Sequence, residues 1–282
     1  METMHNNIFR YEHWGSVSPM LKQSFSKARP YPHVILDDFL HLPAAESLLA
    51  DFPAATKDTW NHYTVANVNK LQANNFAHFG ATTKAVIADL NSATFINFLK
   101  TITGLDDLIP DPKLEGGGLH QIERGGHLNI HADFTVHPHH QDWQRRPNLI
   151  VYLNKDWADE YGGQLQLWDK EMKNCLASIA PVFNRAVVFQ TDADSFHGHP
   201  DPLACPQGVS RKSLALYYFT KELAPKIRST NFQARPEDGL GKAAVMYAEK
   251  QLQRVYDRAK RAFGFDDKFV TKLLRLISSK KK

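Results

Sequence analysis

Cysteine is nearly absent from this sequence: Cys175 and Cys205 are the only two in 282 residues. Two thiols so far apart form no metal-ligand spacing and make no disulfide scaffold. A reducing, cytoplasmic setting is therefore expected. No apolar run approaches the length of a membrane span, so no membrane association is expected. The leading residues, Met1-Glu2-Thr3-Met4-His5, hold an acid and no apolar stretch, which argues against a secretory signal. Internal repeats and low-complexity tracts are missing too, as is any arrangement of Ser, His and Asp that reads as a hydrolase triad. What is present is ordinary for a globular protein, with 43% hydrophobic and 23% charged residues. The length allows one large domain or two small ones.

Charge is unevenly spread. From residue 223 to 282 there are 15 Lys/Arg against 6 Asp/Glu, a surplus of +9, so residues 1–222 carry −5 of the total of +4. A basic tail of this kind can track nucleic-acid phosphates. Such charges are more often the solvated faces of amphipathic helices, and a nucleic-acid partner is not expected. The oligomeric state is not readable from the sequence.

Along the chain, residues 1–28 have little pattern. The run from Pro30 to Leu40 reads as a short strand entering a turn. Pro43 suits a first helical turn, Ala45, Leu48, Leu49 and Phe52 follow at helical spacing, and Pro53 is a stop. Residues 54–82 give no firm reading. Ser92 can cap a helix whose stripe is Phe95, Phe98, Leu99 and Ile102, ending at Gly104. From Leu119 the texture changes to short β-rich runs: 126–131, 148–153, 163–168, 186–190 and 213–220. Glycine pairs punctuate them at 125–126 and 162–163. Many short strands without helices between them predict a sandwich, barrel or jelly roll. Helical signals return after Pro225, with Val245, Ala248, Leu252, Val255 and Ala259 on one face and Gly264 as the stop. Asp267 can cap a last helix through Leu273, Leu274 and Ile277, and Lys280 to Lys282 read as a frayed end.

The chemistry begins at His131-Ala132-Asp133, at the end of a strand. Residues two apart on a strand point to the same side, so His131 and Asp133 can close on one ion. A second histidine would complete the 2-His-1-carboxylate face that binds non-haem Fe(II) and leaves its other positions open. His197 and His199, after the apolar run 186–190, both offer one. His197 is preferred because His199 abuts Pro200, where the chain turns away. Fourteen residues after His197 comes Arg211-Lys212-Ser213 at a strand start. An inward guanidinium there needs a buried anion, and its fork matches a carboxylate with two parallel hydrogen bonds.

His131-x-Asp133, then His197, then Arg211-x-Ser213, in that order, resembles the Fe(II)/2-oxoglutarate-dependent dioxygenases, and the prolyl-4-hydroxylase-like branch in particular. Residues 148–157 (Asn148 to Trp157), Gly162-Gly163-Gln164-Leu165 and Pro181-x-Phe183-Asn184-Arg185 look like that branch strand for strand, as does the leading segment from Pro32 to Leu40. The resemblance is specific over 119–221, looser over 30–118 and absent after 225. It implies an α+β fold: a double-stranded β-helix (jelly-roll, cupin-like) core over 119–222. Residues 1–118 would form an N-terminal helical and strand support of the same domain, and 223–282 a basic helical extension. It implies that His131, Asp133 and His197 hold Fe(II) and that Arg211 pairs with the distal carboxylate of 2-oxoglutarate. Ser213 and Tyr152 would bond the same end, and Asn148 would line the pocket. O2 is the further co-substrate, and ascorbate is admitted as an accessory.

Relatives often carry a co-substrate-binding Tyr shortly before the His-x-Asp motif. This chain has Gln121-Ile122 there. Related halogenases have a small residue where Asp133 stands, so a carboxylate here favours hydroxylation. The expected reaction converts 2-oxoglutarate and O2 to succinate and CO2 while hydroxylating an unactivated C–H bond. A prolyl or other residue of a peptide or protein is the first expectation for the substrate. A free amino acid, sugar or natural product is the alternative. A non-catalytic metal-binding or nucleic-acid-associated protein is the alternative from another class. The segment His137 to Arg146 follows the metal residues directly, and Trp143, Arg145 and Arg146 are its candidate substrate contacts.

Overall fold

The computed structural model describes residues 8–56 and 58–263. The readings at residues 1–5, Gly264, Asp267 to Ile277 and Lys280 to Lys282 lie outside them, as does the side chain of Ala259. The helices are α1 (Tyr11–Lys27), α2 (Leu42–Ala50), α3 (Ala81–Leu90), α4 (Ala93–Thr103) and α5 (Leu240–Phe263). The strands are β1 (His33–Leu36), β2 (Asn61–Val65), β3 (Val68–Ala73), β4 (Ile109–Pro110), β5 (Gly118–Glu123), β6 (His127–Ala132), β7 (Trp143–Tyr152), β8 (Leu165–Trp168), β9 (Cys175–Ile179), β10 (Ala186–Gln190), β11 (His197–His199), β12 (Ser210–Lys221) and β13 (Asn231–Phe232).

The strands join one antiparallel ladder in the order β1-β10-β7-β12-β5-β3-β6-β11-β8-β9. Short strands β2, β4 and β13 attach to β3, β12 and β6. Inward side chains from β7 and β12, at one part of the ladder, and from β6 and β11, at another, line a single cavity. The sheet therefore curls around that cavity, which makes the core a double-stranded β-helix in a mixed helix-and-sheet fold. The segments flanking the core belong to the same ladder: β1 extends it beyond β10, β3 bridges β5 and β6, and β13 pairs with β6.

Helices α1 to α4 back the outer face of the sheet. In α4 the cap, the stripe and the stop agree. Ser92 Oγ accepts from the Phe95 amide, Phe95, Phe98, Leu99 and Ile102 are buried, and Gly104 takes the left-handed conformation. Helix α1 presents Trp14, Leu21 and Phe25, with Val17 half-buried between them. Phe9 sits where α1 meets the core, edge-on to Phe95 with ring centroids 4.9 Å apart, and also touches Phe39 and Phe98. Truncating this cluster leaves a cavity the surroundings cannot fill. Phe95→Ala is expected to cost about 3–5 kcal/mol, read as a lowered urea midpoint at unchanged slope.

Helix α5 forms where the periodicity predicts, yet the predicted apolar face is not its buried face. Val245, Leu252 and Val255 are exposed, while Met246 and Lys250 are buried. The contact that seats the helix is polar. Glu249 Oε2 accepts from the backbone and side-chain nitrogens of Asn67, at 2.7 and 2.5 Å. Among the described residues no helix is long and apolar enough to cross a membrane.

Candidate metal and co-substrate site

The cavity inside the curled sheet has a volume of about 280 Å³. Two histidines face each other across it because their strands are paired: in the β6–β11 ladder His131 lies directly opposite His197. Their ring centroids are 4.6 Å apart. Gly198 permits this closeness, since a Cβ there would stand 2.7 Å from the Leu128 carbonyl oxygen of β6. Asp133 follows immediately after β6 and turns its carboxylate between the two rings. His131 Nε2 lies 3.5 Å from Oδ1 and His197 Nε2 lies 3.5 Å from Oδ2.

The ring orientation is set from behind. His131 Nδ1 donates to the Asn129 carbonyl and His197 Nδ1 to the Ser195 carbonyl, each at 2.9 Å. Those bonds leave both Nε2 lone pairs aimed into the cavity. Two imidazole lone pairs and a carboxylate then converge with no hydrogen-bond donor between the rings and the acid, which is a donor set for a cation. One ligand atom from each of His131, Asp133 and His197 lies within 4.8 Å of the others. His199, the rival for the second imidazole, also lines the cavity but stands outside this cluster.

The protonation states suit a metal. Burial pushes His197 down to about 4, an effect that Asp133 only partly offsets. Burial alone would raise Asp133, but the Arg145 guanidinium, His197 and His131 together outweigh it and hold the carboxyl well below the usual carboxylate range. Burial also keeps His120 and His199 far below the ordinary imidazole range. These shifts have a consequence for the metal-free protein. His120, His197 and His199 are neutral when folded, whereas in the unfolded chain they take up protons below about 6.5. The unfolded state thus binds more protons, so stability falls as pH drops from about 6.5 towards about 4. Urea midpoints of the metal-free protein across that window should decline steadily, and a flat profile would contradict it.

Behind Asp133 stands a second layer. Asn148 Nδ2 donates to Asp133 Oδ2 at 2.8 Å, and Asn148 Oδ1 accepts from Arg145 Nε at 2.9 Å. Arg145 Nη2 lies 2.9 Å from Asp133 Oδ2, a contact of charges off the hydrogen-bond line. The guanidinium is sandwiched by Tyr217, 3.5 Å from the ring centroid, and Phe134, at 4.6 Å. Asn148 lines the cavity and also bridges the acid and the arginine.

Arg211, at the start of β12, is 4% exposed and lines the same cavity. Its Nε donates to the Gly163 carbonyl at 2.8 Å and its Nη2 to Tyr152 Oη at 3.2 Å. Gly163 is required there: its φ is +75°, and an added Cβ would press on Leu203 at 2.7 Å and on Arg211 Cδ at 3.0 Å. Ser213 lies on the same inward row of β12 and also lines the cavity. Its strand partners are Tyr152 on β7 and His120 on β5. The inward residues of β5 are His120 and Ile122, and both line the cavity.

Of the three candidate substrate contacts, the structure brings only Arg145 into the cavity lining. Trp143 stacks on His140, with centroids 4.1 Å apart, and leans on Phe219. Arg146 points to the other face of β7, where it binds Thr220 and Glu222. Alternation along β7 sends the adjacent Arg145 and Arg146 to opposite faces, while the His140 stack holds Trp143 aside. Lining residues that sequence reasoning misses include Lys70 and Gln72 on β3, and Phe232 on β13, whose ring centroid is 5.2 Å from that of His131.

Residues 117–219 match the family model described as the 2OG-Fe(II) oxygenase superfamily. No curated protein matches the chain in sequence. A prolyl hydroxylase from Trichoplax adhaerens, solved with a hypoxia inducible factor oxygen degradation domain peptide fragment, is similar in structure with a TM-score of 0.56 at 19% identity. The match covers 74% of this chain and 92% of that one. A prolyl 4-hydroxylase structure from Phytophthora capsici gives a TM-score of 0.51 at 18% identity, covering 89% of this chain and 77% of that one. At such identities the structural likeness is one of fold. The matched segment and the fold both support a 2-oxoglutarate- and Fe(II)-dependent dioxygenase. Within that class the resemblance is to the prolyl-hydroxylase-like branch, and His131, Asp133 and His197 could bind the iron.

Proposed function

We propose that this chain hydroxylates an unactivated C–H bond of a prolyl or other residue in a peptide or protein. The observation that carries this reading is the meeting of two Nε2 lone pairs and one carboxylate in the cavity that also holds the Arg211 guanidinium. In this reading His131, Asp133 and His197 are the iron ligands. When bound, ferrous iron supplies the activation of O2 that couples decarboxylation of 2-oxoglutarate to substrate hydroxylation.

The chain's own residues supply the geometry. Arg211 binds the distal carboxylate of 2-oxoglutarate, backed by Tyr152 and with Ser213 beside it. Asn148 and Arg145 hold one carboxylate oxygen of Asp133 and leave the other to the metal. The described residues on either side of the core act with it: β3 and β13 complete the cavity wall. Phe232 and Phe134 cover the apolar side and limit water.

The test is incubation of the full chain with Fe(II), 2-oxoglutarate and O2 against panels of prolyl peptides and of free metabolites. The expected result is succinate formation that a peptide accelerates, with that peptide gaining one oxygen by mass spectrometry. Oxygen gained only by free metabolites would transfer the reading to a tailoring hydroxylase. An absence of succinate in the presence of both panels would overturn it.

A further inference from the structure

The cavity holds more positive charge than its co-substrate can use. Three side-chain cations line it: Lys70, Arg145 and Arg211. Two are matched. Arg145 sits against the Asp133 carboxylate and between two aromatic rings. Arg211, on the proposed reading of the site, takes the distal carboxylate of 2-oxoglutarate, while the proximal one meets the metal. The other lining carboxylate, Glu115, is engaged elsewhere, 3.6 Å from His139.

Lys70 has no such match. It stands in the middle of β3, on the row it shares with Val68 and Gln72, and all three line the cavity. Its ammonium has no hydrogen bond or ion pair among the described residues. Burial works against its protonated form first; of the nearby charges Asp133 favours that form, while Arg145 and Arg211 disfavour it. A strand position facing a cavity could equally carry an apolar residue; the half-buried ammonium here is instead placed to meet a counter-charge inside the cavity. Lys70 itself carries one positive charge, which a single carboxylate meets.

We infer that Lys70 anchors the substrate by its carboxylate, so that the molecule hydroxylated is an acid. This rests on the dioxygenase reading above and narrows it. The carboxylate belongs either to a free amino or hydroxy acid or to an Asp or Glu beside the target in a peptide. Lys70 is therefore a specificity-determining residue, supplied by β3 on the wall that joins β5 to β6.

The test uses the full chain loaded with Fe(II) and matched substrate pairs. Free amino and hydroxy acids are compared with their amides, and capped prolyl peptides flanked by Asp or Glu with the same peptides flanked by Asn or Gln. Succinate release above the substrate-free rate is the readout. The acid member of at least one pair is expected to exceed its amide by roughly 30-fold or more in kcat/KM. Lys70→Met should erase that preference and Lys70→Arg should keep most of it. Free acids responding without the peptides, or the reverse, identifies the source of the carboxylate. Equal rates for acids and amides, or no acid accelerating the reaction, would overturn the inference. So would Lys70→Met weakening 2-oxoglutarate itself by as much as tenfold, which would move Lys70 to the co-substrate. Calorimetry of the Mn(II)-loaded protein separates the two levels. Loss of all metal-dependent 2-oxoglutarate binding in the unaltered chain sinks the dioxygenase reading, whereas retained binding with indifferent acids sinks only this one.

Discussion

Asp133→Ala is expected to weaken metal binding by about 200- to 5000-fold and to bring succinate formation to background. The magnitude comes from two losses that coincide. The metal loses its one anionic ligand, and Arg145, 1% exposed, is left as a buried charge without its counter-ion. Breaking a buried ion pair by removing one partner costs about 3–5 kcal/mol, and each 1.36 kcal/mol is about tenfold. Tyr217 and Phe134 still hold the guanidinium, so it cannot swing out to water without unstacking. The site should therefore become electropositive as well as ligand-poor. The check is Mn(II) binding by calorimetry alongside the succinate assay. Metal affinity within about tenfold of the unaltered chain, below the range just argued, would show that Asp133 is not a ligand.

Arg211→Met is expected to raise KM for 2-oxoglutarate by about 30-fold or more, because losing a hydrogen-bonded charged partner costs about 2–5 kcal/mol. Methionine fills similar volume without the fork, so the wall around Gly163 and Leu203 need not collapse. Metal affinity without co-substrate should change little, since Arg211 makes no contact with the triad. The contrast between the two variants is informative. Asp133→Ala strikes the metal first, Arg211→Met strikes the co-substrate alone, and a single general loss of fold would strike both equally.

The parts of the fold that could be read from sequence are those where one periodicity dominates. Strand β10 is a continuous apolar run, as a strand buried on both faces must be, and the reading 186–190 coincides with it. Helix α4 has cap, stripe and stop in agreement. Helix α1 was hidden because its stripe of Trp14, Val17, Leu21 and Phe25 is embedded in Ser, Gly and Pro residues that favour other structure. Strand β3 was hidden for a reason tied to function. Its inward residues include Lys70 and Gln72, so the usual alternation is inverted: polar side chains face in because a cavity, not a packed core, lies behind them. In α5 the periodicity gave the helix but could not tell which face docks, because the seating contact is Glu249 to Asn67, a polar pair.

The candidate site was legible where it follows from order along the chain. His131-x-Asp133, His197 and Arg211 carry the resemblance by themselves, and the β6–β11 register then explains how residues so distant in sequence meet. The choice between His197 and His199 could not be made by spacing. It is made by geometry: His197 lies opposite His131, while His199 is displaced by the irregular register beyond it. Nor could spacing distinguish Arg145 from Arg146, which alternate across β7 and end on opposite faces. The bridging role of Asn148 depends on Arg145 lying beside it, and no local signal encodes that.

A crystal structure of the full chain grown with Mn(II) and 2-oxoglutarate under anaerobic conditions tests the central claim most directly. The account predicts one anomalous peak within bonding distance of His131 Nε2, His197 Nε2 and an Asp133 oxygen, with the distal carboxylate of 2-oxoglutarate on Arg211. A metal bound elsewhere, or a co-substrate whose far end turns away from Arg211, would contradict it.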